Sequence, residues 1–381
     1  MKSSKDDATR LECFMSQDRS IVSSASGNSS AVRYLFSDVP ADGKTITVAP
    51  GVKWLRMPLP LALDHINLYL IANGDGWMIV DCGMKGGITR KLWQQVFDTE
   101  LEGKPINAVL STHMHPDHIG QAGWLVGLWQ VPFYMTFGEY FMARTYTAPD
   151  EKIPEEWRHD TYAARTGMPV EFVEKMRKGT GGFGSIVEPL PRSYKRLQDG
   201  QILTLGDQRW QVIIGRGHSP EHACLYNPAL NILISGDQIL PQITSNVSVT
   251  STEPDANPLQ EWMQSLQRLM ELPDDALVCP AHNAPFFGLH ARLRELLAHH
   301  EQQLASLEAV LATPKTAYEL LPTLFRRELH NEQLMMAMGE CLAHLHLLLA
   351  RGAIEQEFGG DGIHHYRAVS VSLPPCDVQH E

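Results

Sequence analysis

The stretch Ser111-Thr112-His113-Met114-His115-Pro116-Asp117-His118-Ile119-Gly120 follows directly on the apolar run Ile106-Asn107-Ala108-Val109-Leu110. The apolar run reads as a buried strand, and the residues after it gather His113, His115, Asp117 and His118 into one turn. Borderline-soft divalent metals take nitrogen and oxygen ligands at about 2 Å, and catalytic sites keep one coordination position open for water. A strand that delivers three imidazoles and a carboxylate to its C-terminal end is therefore a candidate metal site that can offer four ligands.

The flanking sequence predicts the architecture around that strand. Ile66 to Ile71 and Trp77 to Asp81 read as a β-hairpin across the turn Asn73-Gly74-Asp75-Gly76. A helix is predicted over 89–100, another over 120–130 and a strand over 131–135. This alternation argues for an α/β fold with sheets covered by helices. Strand signals return at 201–205, 210–214, 231–235 and 276–279, with a helix over 258–272. Past Gly288 the sequence predicts helices over 289–311, 316–325 and 331–350, then β-like segments around the turn Gly359-Gly360-Asp361-Gly362. Three helices and a hairpin are the order of a winged-helix module.

These signals divide the chain into a disordered arm (1–44), a catalytic domain (45–290) with a helical substrate-cap insertion (138–196), and a winged-helix-like C-terminal domain (291–381). The arm carries many Ser and charged residues and little hydrophobic periodicity. The end of the cap region, with Lys175, Arg177 and Lys178 before a glycine-rich run, reads either as a solvated helix end or as a flap whose cations hold an anionic part of a substrate.

Composition narrows the partners. The 381 residues suffice for a large domain and a small one, and a formal net charge of -12 argues against nucleic acid or an anionic membrane and for a small-molecule substrate. The six cysteines fall in no CxxC pair, which reads as buried thiols in a reducing compartment. With no signal-peptide pattern or membrane span in view, the expectation is a cytoplasmic protein.

Taken singly, most of the candidate residues are ordinary, and it is their recurrence that carries meaning. The cluster His113 to His118, then His218, Asp237 and His282, all stand just past the C-terminal end of an apolar β-like run. In layered α/β architectures such ends converge on a cleft. The set of nitrogen and oxygen ligands, with no thiolate, suits a pair of Zn²⁺ and would also accept Fe or Mn.

At these residues the chain resembles the metallo-β-lactamase-fold hydrolase superfamily. The HxHxDH signature stands at His113 to His118, followed in order by Gly217-His218, Gly236-Asp237 and the late His282. The helical tail and the Gly236-Asp237-Gln238-Ile239-Leu240-Pro241 segment are most similar to the branch of lactamase-beta-like protein 2, which carries a C-terminal winged helix. The resemblance implies an αββα sandwich and two metal sites, one held by His113, His115 and His218, the other by Asp117, His118 and His282, with Asp237 bridging them. It further implies Asp117 as the catalytic residue that orients the nucleophile or passes a proton. Asp81 matches the family's structural aspartate. His222 is left open between a supporting hydrogen bond and a substrate contact, and His65 is expected to be structural.

The implied activity is that of a dinuclear-metal-dependent hydrolase using a metal-bridging hydroxide on a small acyl ester or thioester, in the manner of glyoxalase II. An endoribonuclease or phosphodiesterase is the alternative, and a non-catalytic metal-binding module a further one. Against nucleic acid stands the region 331–350, which has no Lys or Arg, while Met335, Met338, Leu342, Leu345 and Leu349 form an apolar stripe. The C-terminal unit is accordingly expected to be a cap or homodimer element.

Overall fold

A computed structural model of the chain describes residues 32–60, 63–148, 165–177, 182–327, 329 and 331–369. The first half runs β1 (Arg33–Tyr34), β2 (Thr45–Ala49), β3 (Val52–Pro58), β4 (His65–Asn73), β5 (Gly76–Val80), α1 (Gly87–Thr99), β6 (Ile106–Leu110), α2 (Pro116–Ile119), α3 (Ala122–Trp129), β7 (Phe133–Met135), α4 (Phe137–Tyr146), α5 (Val170–Arg177), α6 (Phe183–Ile186) and β8 (Lys195–Arg196). The second runs β9 (Ile202–Leu205), β10 (Gln208–Gly215), β11 (His222–Asn227), β12 (Ile232–Gly236), α7 (Pro258–Leu269), β13 (Leu277–Pro280), β14 (Phe286–Phe287), α8 (Leu289–Val310), α9 (Ala317–Leu324), α10 (Asn331–Ala350), β15 (Ile354–Phe358) and β16 (His364–Ala368).

The strands form a seven-stranded sheet in the order β2 to β8 and a second seven-stranded sheet in the order β1-β14-β13-β12-β11-β10-β9. In the first, β2 to β5 pair antiparallel, and β5 to β8 pair parallel. Side chains of a strand point alternately to opposite faces, and here both faces are covered. From β3, Trp54 enters the core between the sheets while Leu55 and Met57 face the helical layer. Likewise Val212 and Ile214 of β10 face inward, and Ile213 faces out. The inner core joins Trp54, Tyr69 and Val80 of one sheet to Trp210, Leu225 and Ile234 of the other. One outer cluster packs α1 and α3 on the first sheet, and the other packs α7, α8 and α10 on the second. This is the expected αββα sandwich. Each fully buried Leu or Ile contributes roughly 1.5–3 kcal/mol against the entropy lost on ordering.

Helix starts carry local signals. Asn257 accepts from the Gln260 N–H ahead of Pro258, and Thr316 and Glu319 form a capping box. The C-terminal unit is three helices followed by the β15–β16 hairpin, in the order read from the sequence. Met338, Leu342 and Leu345 are buried in the same cluster as Leu233 and Val278 of the second sheet, with Met335 and Leu349 packed against it. The stripe is thus core. By length and composition alone the stretch Gln333–Ala350 could cross a membrane; here those apolar residues pack against protein.

One expectation needs correction. The sequence predicts a disordered arm through residue 44, yet Val32 is buried and β1 pairs antiparallel with β14, Arg33 opposite Phe287 and Tyr34 opposite Phe286. A two-residue edge strand is too short to show periodicity in sequence. Residues 1–31 of that arm lie outside the described residues.

Candidate metal centre

The first sheet supplies its ligands from the end of β6. The Ser111 N–H still bonds the Tyr134 carbonyl at 3.0 Å, after which the chain turns and His115 becomes the N-cap of α2, with Pro116 at the first helical position. That single turn of helix aims Asp117 and His118 inward. The second sheet supplies His218 after β10, Asp237 after β12 and His282 after β13. Two of these approaches depend on glycine: at Gly217 (φ 96°) a Cβ would run into Pro258 and Trp262, and at Gly236 (φ 50°) into the His222 ring.

Two groups of ligand atoms result. His113, His115, His218 and Asp237 form one, and Asp117, His118 and His282 the other, with the atoms of each group lying within 4.8 Å of one another. Asp237 reaches both: its Oδ2 is 3.4 Å from His218 Nε2 and 3.6 Å from His118 Nε2, and its Oδ1 is 3.3 Å from His282 Nε2. Asp117 Oδ2 stands 3.5 Å from both His118 Nε2 and His282 Nε2.

The outward nitrogen is engaged on His113, His118, His218 and His282. His118 Nδ1 pairs with Asp81 Oδ2 at 2.8 Å, His282 Nδ1 with the His65 carbonyl at 2.8 Å, and His218 Nδ1 with the Asn246 carbonyl at 2.7 Å. Thr112 Oγ1 lies 3.1 Å from His113 Nδ1 and donates to Asp81. Such partners fix the tautomer and leave each Nε2 lone pair for the centre. His115 differs: its Nδ1 faces His113 Nε2 at 2.8 Å. Asp81 sits at φ 63°, a left-handed conformation that Asp tolerates, and its Oδ1 accepts from the Thr112 N–H at 2.8 Å.

The donor set has the character of a site for a pair of cations. Both oxygens of Asp117 and of Asp237, with the Nε2 atoms of His118 and His282, are buried without a hydrogen-bond partner. Buried polar atoms left in that state cost about 1–3 kcal/mol each, and a divalent ion between them makes them ligands instead. Burial, followed by the neighbouring imidazoles, holds His113 and His115 well below the usual histidine range, so both are neutral. Burial pushes the Asp117 carboxyl up, whereas His282 and His118 outweigh burial at Asp237 and hold it down. The residues present fit two divalent ions.

His222 is buried, and its Nε2 accepts the Asp237 backbone N–H at 3.0 Å, so it holds Asp237 in place. Burial lowers its pKa to about 3, which keeps that lone pair free. His65 is structural as well: its Nε2 accepts from the Asn283 N–H at 2.8 Å. Of the basic segment, Lys175 and Arg177 stand on α5, but their side chains, and Lys178 altogether, lie outside the described residues.

Sequence reasoning missed Glu139. It is fully buried on α4, accepts the Met114 N–H at 2.9 Å through Oε2, and accepts Ser219 Oγ–H at 2.6 Å and the Glu221 N–H at 2.8 Å through Oε1. It thereby ties the HxHxDH loop to the His218 loop. Asn246 was also missed, because it acts through a backbone carbonyl, which no side-chain pattern announces.

Comparison with known proteins agrees with this geometry. The family described as "Metallo-beta-lactamase superfamily" matches residues 61–282, and "Metallo-beta-lactamase-like, C-terminal domain" matches 304–369. The crystal structure of a beta-lactamase domain protein from Burkholderia ambifaria is 41% identical, with a TM-score of 0.82, covering 89% of this chain and 98% of that one. The "Probable metallo-hydrolase YqjP" of Bacillus subtilis is 24% identical over 81% of this chain and 96% of its own length. Human "Acyl-coenzyme A thioesterase MBLAC2" is 26% identical over 61% of this chain and 77% of its own. With the αββα layers, the ordered ligand set and the matched residues in agreement, the chain belongs to the metallo-beta-lactamase superfamily and is a metallo-hydrolase of that family.

Proposed function

We propose that this metallo-hydrolase cleaves small acyl thioesters, acyl-coenzyme A among them, with two zinc ions as its working metals. The observation that carries hydrolysis is the placement of Asp237, whose carboxylate reaches both ligand groups, Oδ2 lying near His218 of one and His118 of the other and Oδ1 near His282. A pair of bound cations supplies Lewis acidity and an ionised water near neutral pH. The chain's own residues do the rest. Asp237 and the imidazoles hold the centre in one geometry, and Asp117, whose Oδ2 stands 3.5 Å from both His118 Nε2 and His282 Nε2, accepts the proton of the attacking water. A C–O bond forms at the acyl carbon, the C–S bond breaks, and the proton leaves with the thiol.

The thioester class is supported by chemistry and by kinship. A thiol has a pKa of about 8.5, so its thiolate departs with less acid assistance than an alkoxide, and one proton-handling carboxyl is enough. A relative matched over much of its length is named an acyl-coenzyme A thioesterase, and a net charge of -12 disfavours a polyanionic RNA. The C-terminal helices and hairpin we read as a winged-helix-like element serving the site rather than nucleic acid.

The test is a substrate panel on the zinc-loaded protein: acyl-coenzyme A, a glutathione thioester, a lactone, a phosphodiester and a short RNA. Thioester turnover that is lost in Asp237→Ala is expected. Cleavage of RNA or phosphodiester without thioester cleavage would reverse the reading.

A further inference from the structure

The loop that follows Asp237 bonds back to Asp237 and to His218, and the C-terminal unit holds it at several points. Ser245 Oγ–H donates to the Asp237 carbonyl. From α8, the buried Arg292 donates to the Leu240 carbonyl at 2.7 Å and the Ile243 carbonyl at 2.8 Å. From α10, the Gly339 carbonyl accepts the Val249 N–H at 3.0 Å, and the Met336 carbonyl lies 3.3 Å from Ser248 Oγ. A Cβ at Gly339 would lie 2.7 Å from Ser248 Cβ, so glycine is required for this approach.

Asn246 stands at the centre of the grip. Its side chain is held at both ends: Oδ1 accepts Ser248 Oγ–H at 2.7 Å, and Nδ2 donates to Glu340 Oε2 at 3.2 Å. Its backbone carbonyl accepts His218 Nδ1–H at 2.7 Å. A continuous path therefore runs from a carboxyl on α10, through the side chain and then the backbone carbonyl of Asn246, to the imidazole of His218 in the first ligand group. Nothing in the ligand motif calls for an acidic residue at position 340, where the residue is half-buried and its carboxyl is pushed up to about 7 by the loss of surrounding water.

We propose that Glu340 is a positioning residue for the metal centre, setting through Asn246 the orientation and tautomer of His218. The C-terminal unit is then a part of the site's support. The inference rests on the reading of His218 as a metal ligand. Without the Glu340 acceptor the Asn246 side chain loses one of its two anchors, and the carbonyl that points at His218 is free to shift.

The experiment is a chelator-competition titration of Zn²⁺ and Co²⁺ into the metal-free full-length chain, resolving the two ions, alongside thermal melting. Glu340→Ala should weaken one of the two ions about tenfold, the range in which outer partners of metal ligands act, and leave the other within about twofold. Glu340→Gln keeps an acceptor for Asn246 and should retain wild-type affinity. Asn246→Ala should reproduce the Glu340→Ala defect, and the double variant should be no weaker than either single one; Asn246→Ala carries the test alone if Glu340→Ala does not fold. Wild-type protein that binds two ions while both alanine variants match it would overturn the inference alone. So would equal weakening of both ions in step with a lowered melting temperature that Glu340→Gln does not restore. A wild-type chain that binds no ion would sink the metal-centre reading itself.

Discussion

The backbone N–H of Asp237 donates to His222 Nε2 at 3.0 Å, so Asp237 is held through its backbone by a fully buried histidine. His222→Phe keeps bulk and removes the acceptor. The expected result is fewer than two bound metals per chain and a kcat reduced roughly 10- to 100-fold, with KM little changed. A rise in KM alone would identify His222 as a substrate contact.

Glu139 satisfies three donors in a fully buried position, each worth about 1–3 kcal/mol if orphaned. Glu139→Ala should destabilise the fold by about 3 kcal/mol or more in urea unfolding, and Glu139→Gln by less, since it keeps one acceptor oxygen. A Glu139→Ala variant within about 1 kcal/mol of wild type would show that water replaces the carboxylate at no cost.

His344 is buried on α10, and burial lowers its pKa from 6.5 to about 4. Above pH 6.5 both the folded and unfolded chains hold it neutral. Between about 6.5 and 4 only the unfolded chain binds the proton, so stability falls with pH through that window and levels off below it. At pH 5 the loss from this one residue is about 2 kcal/mol. The drop in unfolding free energy between pH 7 and pH 5 should therefore be smaller by that amount in His344→Asn, and equal drops in the two proteins would contradict it.

The sequence carried the site better than its support. His113 to His118, His218, Asp237 and His282 could be assembled because ligand chemistry and strand ends leave a joint pattern: a polar metal-binding residue directly after an apolar run. The helix boundaries at Pro258 and Thr316 were legible for a similar reason, since caps and N1 prolines are local. Glu139 was not legible, because an acid on a charged helical stretch looks like any solvated residue until the fold buries it against Met114 and Ser219. The carbonyls of His65 and Asn246 carry no side-chain signal at all. Strand β1 escaped notice because two residues cannot display a period.

The claim on which the rest depends is that Asp237 joins two ligand groups into one dinuclear centre. Elemental analysis of the full-length protein after expression with ample metal measures it directly, compared with Asp237→Ala. Two divalent ions per chain in the wild type, and fewer in the variant together with loss of hydrolysis, is the expected result. Less than about one ion per chain in the wild type, or full hydrolysis retained by Asp237→Ala, would contradict it.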